Sequence, residues 1–211
     1  VYSTFLNRAF DQVLMDVALH KAGVTFVLDR AGITGDDGPS HNGVWDLALT
    51  GIVPTLHVAA PRDASRLRET LRESLDISDA PSLIRFPKGA VQVDIPAFER
   101  RDGIDVLYRG ESADVLLISV GAMAAIAVEA ASQAYREGVG VTVIDPRWVK
   151  PLPQSLVTMA QRYKSDKSAE TKLVTKIKMG GSGSWGAIPM PPQPLKDEEA
   201  KTLVTLLLQL R

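Results

Sequence analysis

Asp29-Arg30-Ala31-Gly32-Ile33-Thr34-Gly35-Asp36-Asp37-Gly38-Pro39-Ser40-His41-Asn42-Gly43 concentrates more potential chemistry than any other stretch of the sequence. A guanidinium, two adjacent carboxylates and an imidazole provide for anion binding and proton transfer. The four glycines let a backbone turn tightly and approach a ligand closely. The loop follows the apolar run Val24–Leu28. If that run is a parallel strand, the loop leaves its carboxyl end, where open α/β sheets place their ligands. The same residues also read as a plain surface loop, with a Gly-Pro turn and solvated charges.

The elements that must position this loop follow from hydrophobic periodicity. Ser3 to Lys21 carries apolar residues at Phe5, Leu6, Ala9, Phe10, Val13, Leu14, Val17 and Ala18, a helical spacing. Ser3 or Thr4 is the expected cap and Gly23 the stop. Strands are expected at 24–28, 56–60 and 83–86. Helices are expected at 44–51 and at 63–75, the latter with Leu67, Leu71 and Leu75 on its apolar face. Between Pro87 and Ala113 the pattern weakens into a charged linker containing Glu99-Arg100-Arg101-Asp102-Gly103. A second unit follows, with a strand at 115–120, a helix at 123–136 and a strand at 139–145. Continuous apolar strands between amphipathic helices predict an α/β fold with parallel sheets covered by helices.

Composition narrows the function classes. The 211 residues are 45% hydrophobic and 23% charged, with a formal net charge of −1. That balance offers no dedicated nucleic-acid surface. No apolar run reaches the roughly 18–20 residues of a bilayer span, so no membrane partner and a cytoplasmic location are expected. Cysteine is absent, which removes disulfides, thiol nucleophiles and cysteine-ligated zinc. No two histidines have metal spacing; His20 suits a helix C-terminus and His57 a packed strand position. Val1 is not a methionine, and Val1–Phe5 reads as a strand end running into a helix, so preceding residues are expected. Up to Arg162 the basic residues are thirteen Arg and three Lys, whereas beyond it stand seven Lys and only Arg211. Such a switch inside a predicted helix reads as a junction between two sources.

Four linked motifs carry a resemblance. They are Tyr2-Ser3-Thr4-Phe5-Leu6 with Arg8, Ala9, Asp11 and Gln12; Asp29-Arg30-Ala31-Gly32; Asp37-Gly38 with His41 and Gly43; and Arg85-Phe86-Pro87-Lys88-Gly89. Asp145-Pro146-Arg147-Trp148-Val149-Lys150-Pro151 continues the series. In order and spacing they resemble thiamine-diphosphate enzymes of the transketolase type, specifically the deoxyxylulose-phosphate synthase family. That family joins pyruvate to glyceraldehyde 3-phosphate with loss of carbon dioxide, feeding isoprenoid and thiamine biosynthesis, and works as a homodimer.

The resemblance implies that Tyr2, Arg8, Arg30 and Arg85 face a phosphorylated substrate. It further implies that Asp37 and His41 are catalytic, and that Phe5 contacts the cofactor's aminopyrimidine. Each residue also has a plain structural reading: core for Tyr2 and Phe5, a helix-surface ion pair for Arg8, an Asx-turn for Asp37. The family holds thiamine diphosphate through Mg2+ on a Gly-Asp-Gly motif, which this sequence does not contain, and its activating glutamate would precede Val1. The chain alone is therefore expected neither to bind the cofactor nor to turn over.

The resemblance divides the chain into three parts: 1–107, the later half of a pyrimidine-binding domain; 108–162, the start of a C-terminal βαβ domain; and 163–211. The last part, with Gly180-Gly181, Trp185, Ile188-Pro189-Met190-Pro191-Pro192 and Asp197-Glu198-Glu199, resembles the C-terminal half of a small bacterial cytochrome c. That resemblance makes Met190 an orphan haem ligand. Covalent haem is excluded because no Cys-x-x-Cys-His motif exists. A Gly/Pro loop at 179–194 and a helix from Asp197 to Leu210 are expected there. The alternatives to a synthase fragment are a non-catalytic chimera and an electron-transfer fragment.

Overall fold

A computed structural model describes residues 1–158, apart from Gln92 and Ala113. The expected loop at 179–194, the helix at 197–210, and Met190 lie outside the described residues.

The chain opens with one helical stretch whose winding changes along its length. It is 3-10 over Ser3–Ala9, α-helical over Phe10–Gln12 (α1), and π-helical over Val13–Ala18. Neither Ser3 nor Thr4 caps it; the first residue before the helix is Tyr2, without a side-chain cap bond. Both hydroxyls are committed elsewhere, Ser3 to Asp46 and Thr4 to the Ser40 carbonyl.

Strands β1 (Thr25–Leu28), β2 (His57–Ala59) and β3 (Ser82–Arg85) lie in parallel in the order β1-β3-β2. Register places Leu28 beside Arg85, so both strands end at one level. Between β1 and β2 runs helix α2 (Asp46–Ile52), and between β2 and β3 helix α3 (Ala64–Leu75). Leu6, Val13, Ala18, Leu28, Val53, Leu56, Val58 and Leu83 form the core of this module.

Helix α3 starts where expected, because the Asp63 carboxylate accepts the Arg66 N–H at 2.8 Å. Its buried face is not the expected one. Leu71 and Leu75 are exposed, whereas Thr70 and Ser74 are buried. The small hydroxyl residues allow close approach, and the Ser74 carbonyl accepts from Thr25 Oγ1.

The second sheet orders its strands as Glu99–Arg101 (β4), Ile104–Tyr108 (β5), Val141–Asp145 (β7) and Val115–Ile118 (β6). Strand β6 (Val115–Ile118) and strand β7 (Val141–Asp145) are parallel and joined by α4 (Ala124–Arg136), as the apolar runs predict. The charged linker is not structureless. Glu99–Arg101 (β4) and Ile104–Tyr108 (β5) form an antiparallel hairpin, and β5 pairs antiparallel with β7. Asp102 and Gly103 both have positive φ, 51° and 80°, as a two-residue hairpin turn requires. A boundary at 107/108 therefore cuts through a strand of the second sheet.

The modules are fastened together. Strand β8 (Trp148–Lys150) leaves the second module and pairs antiparallel with β2 of the first. Lys150 Nζ reaches the carbonyls of Thr50, Gly51 and Val53 at the end of α2. Trp148 Nε1 donates to Glu73 at 2.9 Å, and Arg147 pairs with the same carboxylate. At the centre Arg62, 4% exposed, donates to Asp105 at 2.8 Å, Asp145 at 2.7 Å and the Ile95 carbonyl at 2.9 and 3.0 Å.

Candidate functional site

The Asp29–Gly43 loop is tightly built. Gly32 and Gly43 exchange reciprocal backbone bonds of 2.8 Å that close its base. Thr34 binds Asn42 Oδ1 through both its N–H and its hydroxyl, at 3.0 and 2.9 Å. Two 3-10 turns, Gly35–Asp37 and Pro39–His41, meet at Gly38, whose φ is 80°. Gly43 rests on the entry helix: a Cβ there would lie 2.5 Å from the Ser3 Cβ and 2.6 Å from the Arg30 carbonyl oxygen.

Six of the seven residues singled out by sequence around this loop cluster together. Arg30 has a left-handed backbone, φ 58°, a conformation that costs an arginine roughly 1–2 kcal/mol. Its guanidinium lies 3.8 Å from the centre of the Tyr2 ring. Tyr2 stacks on Phe5 with centroids 5.5 Å apart, and the Arg8 guanidinium lies over the Phe5 ring, 5.8 Å from its centre. His41 meets both rings edge-on, at 6.4 and 5.7 Å. Its Nδ1 is 2.9 Å from Ser40 Oγ.

Asp37 lies between cations. One oxygen accepts from Lys88 Nζ at 2.9 Å, and the other is 3.7 Å from Arg30 Nε. The Lys88 hydrogen bond holds the Asp37 carboxyl below its usual range. Arg30 Nε and Asp37 Oδ2 are both buried, and neither has a direct hydrogen-bond partner. Arg30 also pairs with Asp29.

Arg85 stands behind this group. Its Nε donates to Asp46 Oδ2 at 2.7 Å, the oxygen that also accepts the Ser3 hydroxyl at 2.9 Å. Asp46 is 1% exposed, and its other oxygen accepts the Leu47 N–H. Lys88 and Asp46 are the two members that the sequence reading passed over. Lys88 lies within Arg85-Phe86-Pro87-Lys88-Gly89, three residues after Arg85. Asp46 carries no local signal.

No helix among the described residues is long and apolar enough to cross a membrane. Among the described residues no group of three or more His, Asp or Glu side chains could hold a metal ion.

Residues 1–93 match the family described as Transketolase, pyrimidine binding domain, and residues 105–167 match Transketolase, C-terminal domain. A 1-deoxy-D-xylulose-5-phosphate synthase of Mycolicibacterium vanbaalenii is 57% identical over 190 residues, 89% of this chain and 29% of its own. One from Mycobacterium leprae is 60% identical over 190 residues, 89% of this chain and 28% of its own. The chain thus spans under a third of the length of these curated relatives. Among solved structures, a split-gene transketolase described as an inactive β4 tetramer superposes with TM-score 0.63 at 30% identity, covering 76% of this chain and 52% of that one. A Pichia stipitis transketolase in complex with sedoheptulose 7-phosphate gives 0.63 at 21% identity, covering 71% of this chain and 22% of that one, and speaks for the fold alone.

Residues 1–93 and 105–167 thus carry two domains of the transketolase type, and the fold, mixed and mainly parallel sheets flanked by helices, is the one shared with the split-gene transketolase. Because the synthase match takes in 89% of the chain, it runs past residue 162 into the stretch set apart as cytochrome-like. The domain match likewise continues to residue 167. The cytochrome c resemblance of 163–211 therefore finds no support.

Proposed function

We propose that this chain is a segment of a 1-deoxy-D-xylulose-5-phosphate synthase and forms the substrate-facing wall of its active site. The observation that carries the reading is the convergence of Arg30, Asp37, His41 and Lys88 beside the stacked Tyr2 and Phe5 rings. Two cations on one carboxylate, with buried and unpaired polar atoms between them, make a place for a phosphorylated and hydroxylated ligand. Arg30 and Lys88 would hold the phosphate of the aldehyde substrate. Arg8, over the Phe5 ring, would extend the positive field.

Thiamine diphosphate, on which the transketolase family depends, would meet only its aromatic end here. Phe5 is 41% exposed and already stacked on Tyr2, a surface suited to an aminopyrimidine ring. The described residues offer nothing suited to a metal-bound diphosphate, so that half of the site, with Mg2+, would come from elsewhere in the assembled enzyme. When bound, the cofactor supplies the nucleophilic carbon that pyruvate chemistry requires. This chain's contribution is narrower. His41 would carry a proton to or from the substrate oxygens, with Ser40 fixing its ring through Nδ1. Asp37, kept ionised by Lys88, would accept hydrogen bonds from substrate hydroxyls. Arg30, pinned on Tyr2, would orient the phosphate. A homodimer, a cytoplasmic setting and inactivity of the isolated chain complete the proposal.

The test is a titration with D-glyceraldehyde 3-phosphate and, separately, with unphosphorylated glyceraldehyde, following the His41 ring resonances by NMR. The phosphorylated compound should shift His41, and the shift should weaken with added salt. Equal responses to the two compounds would remove the phosphate subsite.

A further inference from the structure

We infer that Arg85 does not ligate substrate but acts as a positioning residue, through Asp46 and Ser3, for the Tyr2–Arg30 stack. The inference rests on the substrate-wall reading above and reassigns a residue that the family resemblance places on the substrate. Arg85 ends β3 in register with Leu28, immediately before the reactive loop, so its position alone suits a ligand-binding arginine. Its Nε is turned inward. Asp46 Oδ2 takes the Arg85 Nε–H at 2.7 Å and the Ser3 hydroxyl at 2.9 Å, while Oδ1 takes the Leu47 N–H at 2.8 Å. Asp46 and Ser3 are 1% and 0% exposed. A carboxylate this buried demands its guanidinium partner, because neither charge is stable there alone.

The node joins three elements that carry the site. Ser3 lies next to Tyr2, and its N–H donates to the Asp29 carbonyl at 2.9 Å, one residue before Arg30. Asp46 begins α2, three residues after Gly43, and Gly43 packs on both Ser3 and the Arg30 carbonyl. Arg85 supplies the end of β3. Loosening any corner lets the entry helix slide on the loop, which unstacks Arg30 from Tyr2. The division of labour is then between two basic residues three apart: Lys88 faces the ligand, and Arg85 holds the frame.

The experiment measures inorganic phosphate affinity by calorimetry and the His41 ring-current shift by NMR, for Arg85→Met, Asp46→Asn, their double variant, Ser3→Ala and Lys88→Met. Thermal unfolding runs alongside. If Arg85 positions, Arg85→Met and Asp46→Asn each weaken phosphate binding by about tenfold, and the double variant is no worse than either single one. His41 moves toward its random-coil shift in all three. Ser3→Ala, which removes only a neutral hydrogen bond, shifts His41 the same way by less and stays folded if the charged-pair variants do not. If Asp46→Asn preserves or tightens binding while Arg85→Met weakens it, Arg85 touches the anion and the inference is wrong. An unmoved His41 in Ser3→Ala and Asp46→Asn overturns it equally. Failure of Lys88→Met to weaken phosphate binding, or no binding by the unaltered chain, counts against the substrate-wall reading instead. The His41 shifts then still decide the node.

Discussion

Replacing Arg62 by Met tests how the two modules are held together. Arg62 is the sole guanidinium among the described residues that reaches Asp145, at 2.7 Å, whereas Asp105 also has Arg100 at 2.5 Å and Arg66 at 3.7 Å. Burial pushes the Asp145 carboxyl up and prevails over the Arg62 hydrogen bond that opposes it. Burial also acts to raise Asp105, but there the hydrogen bonds from Arg100 and Arg62 win and its pKa is lowered. Removing one partner of a buried pair costs about 3–5 kcal/mol, a large share of the roughly 5–15 kcal/mol that stabilises a domain.

The sign of the pH dependence follows from Asp145. Without Arg62 its folded pKa rises further above the unfolded value of about 3.9, so the folded variant holds a proton that the unfolded chain releases. The penalty for ionising it is absent below the unfolded pKa. It grows by about 1.4 kcal/mol for each pH unit from there to the folded pKa. Asp105 reinforces the trend. Its lowered pKa stabilises the unaltered protein above the unfolded value, and part of that gain disappears with Arg62. Urea unfolding at about pH 4.5 and pH 7 should show the larger deficit at pH 7. Adding Asp145→Asn to Arg62→Met should recover at least about half of that deficit, because it removes the stranded charge. A deficit below about 1 kcal/mol at pH 7, or one indifferent to pH and to Asp145→Asn, would refute the reasoning.

Lys88→Met should return the Asp37 carboxyl upward to its ordinary range, read by carbon-detected NMR titration, since Lys88 is the main cause of its depression. Gly43→Ala should cost about 1–3 kcal/mol in urea unfolding and abolish the phosphate response of His41, because the new methyl meets Ser3 and the Arg30 carbonyl. Lys150→Met should lower stability by about 1–2 kcal/mol, because the carbonyls that end α2 lose their shared donor. A thermal melt measures that loss, and an unchanged midpoint would show that β8 pairing alone closes the junction.

How much of this was legible depends on how far apart the interacting residues stand. Strands β1, β3, β6 and β7 are short apolar runs whose character is local, and they lie where periodicity puts them. The β4–β5 hairpin escaped because its flanks are charged, although Asp102-Gly103 is a hairpin signal by itself. The face of α3 was misjudged because Thr70 and Ser74 are buried through close packing and hydroxyl bonds, which hydrophobicity does not register. Strand β8 could not be foreseen, since its partner β2 lies about ninety residues earlier in the chain. The site divides in the same way. Arg30, Asp37 and His41 share one loop and announce themselves together. The Lys88–Asp37 contact spans 51 residues and the Arg85–Asp46 contact 39, and neither follows from spacing. Arg85 looked like the ligand because an arginine at a strand end has that chemistry available. The Asp46 contact, which spacing does not reveal, is what turns its Nε inward.

The central claim, that this chain is the substrate wall of a deoxyxylulose-phosphate synthase, is tested most directly by reconstitution. The chain would be joined to the remainder of a relative such as the Mycobacterium leprae synthase, in place of the matching segment, and assayed with pyruvate, glyceraldehyde 3-phosphate, thiamine diphosphate and Mg2+. The measured quantity is deoxyxylulose 5-phosphate formed, beside the isolated chain and a no-protein control. The joined protein should make product and the chain alone none above control. Arg30→Ala or His41→Ala should abolish that product while the hybrid remains folded. A folded hybrid that makes no product, or product undiminished by both substitutions, would contradict the claim.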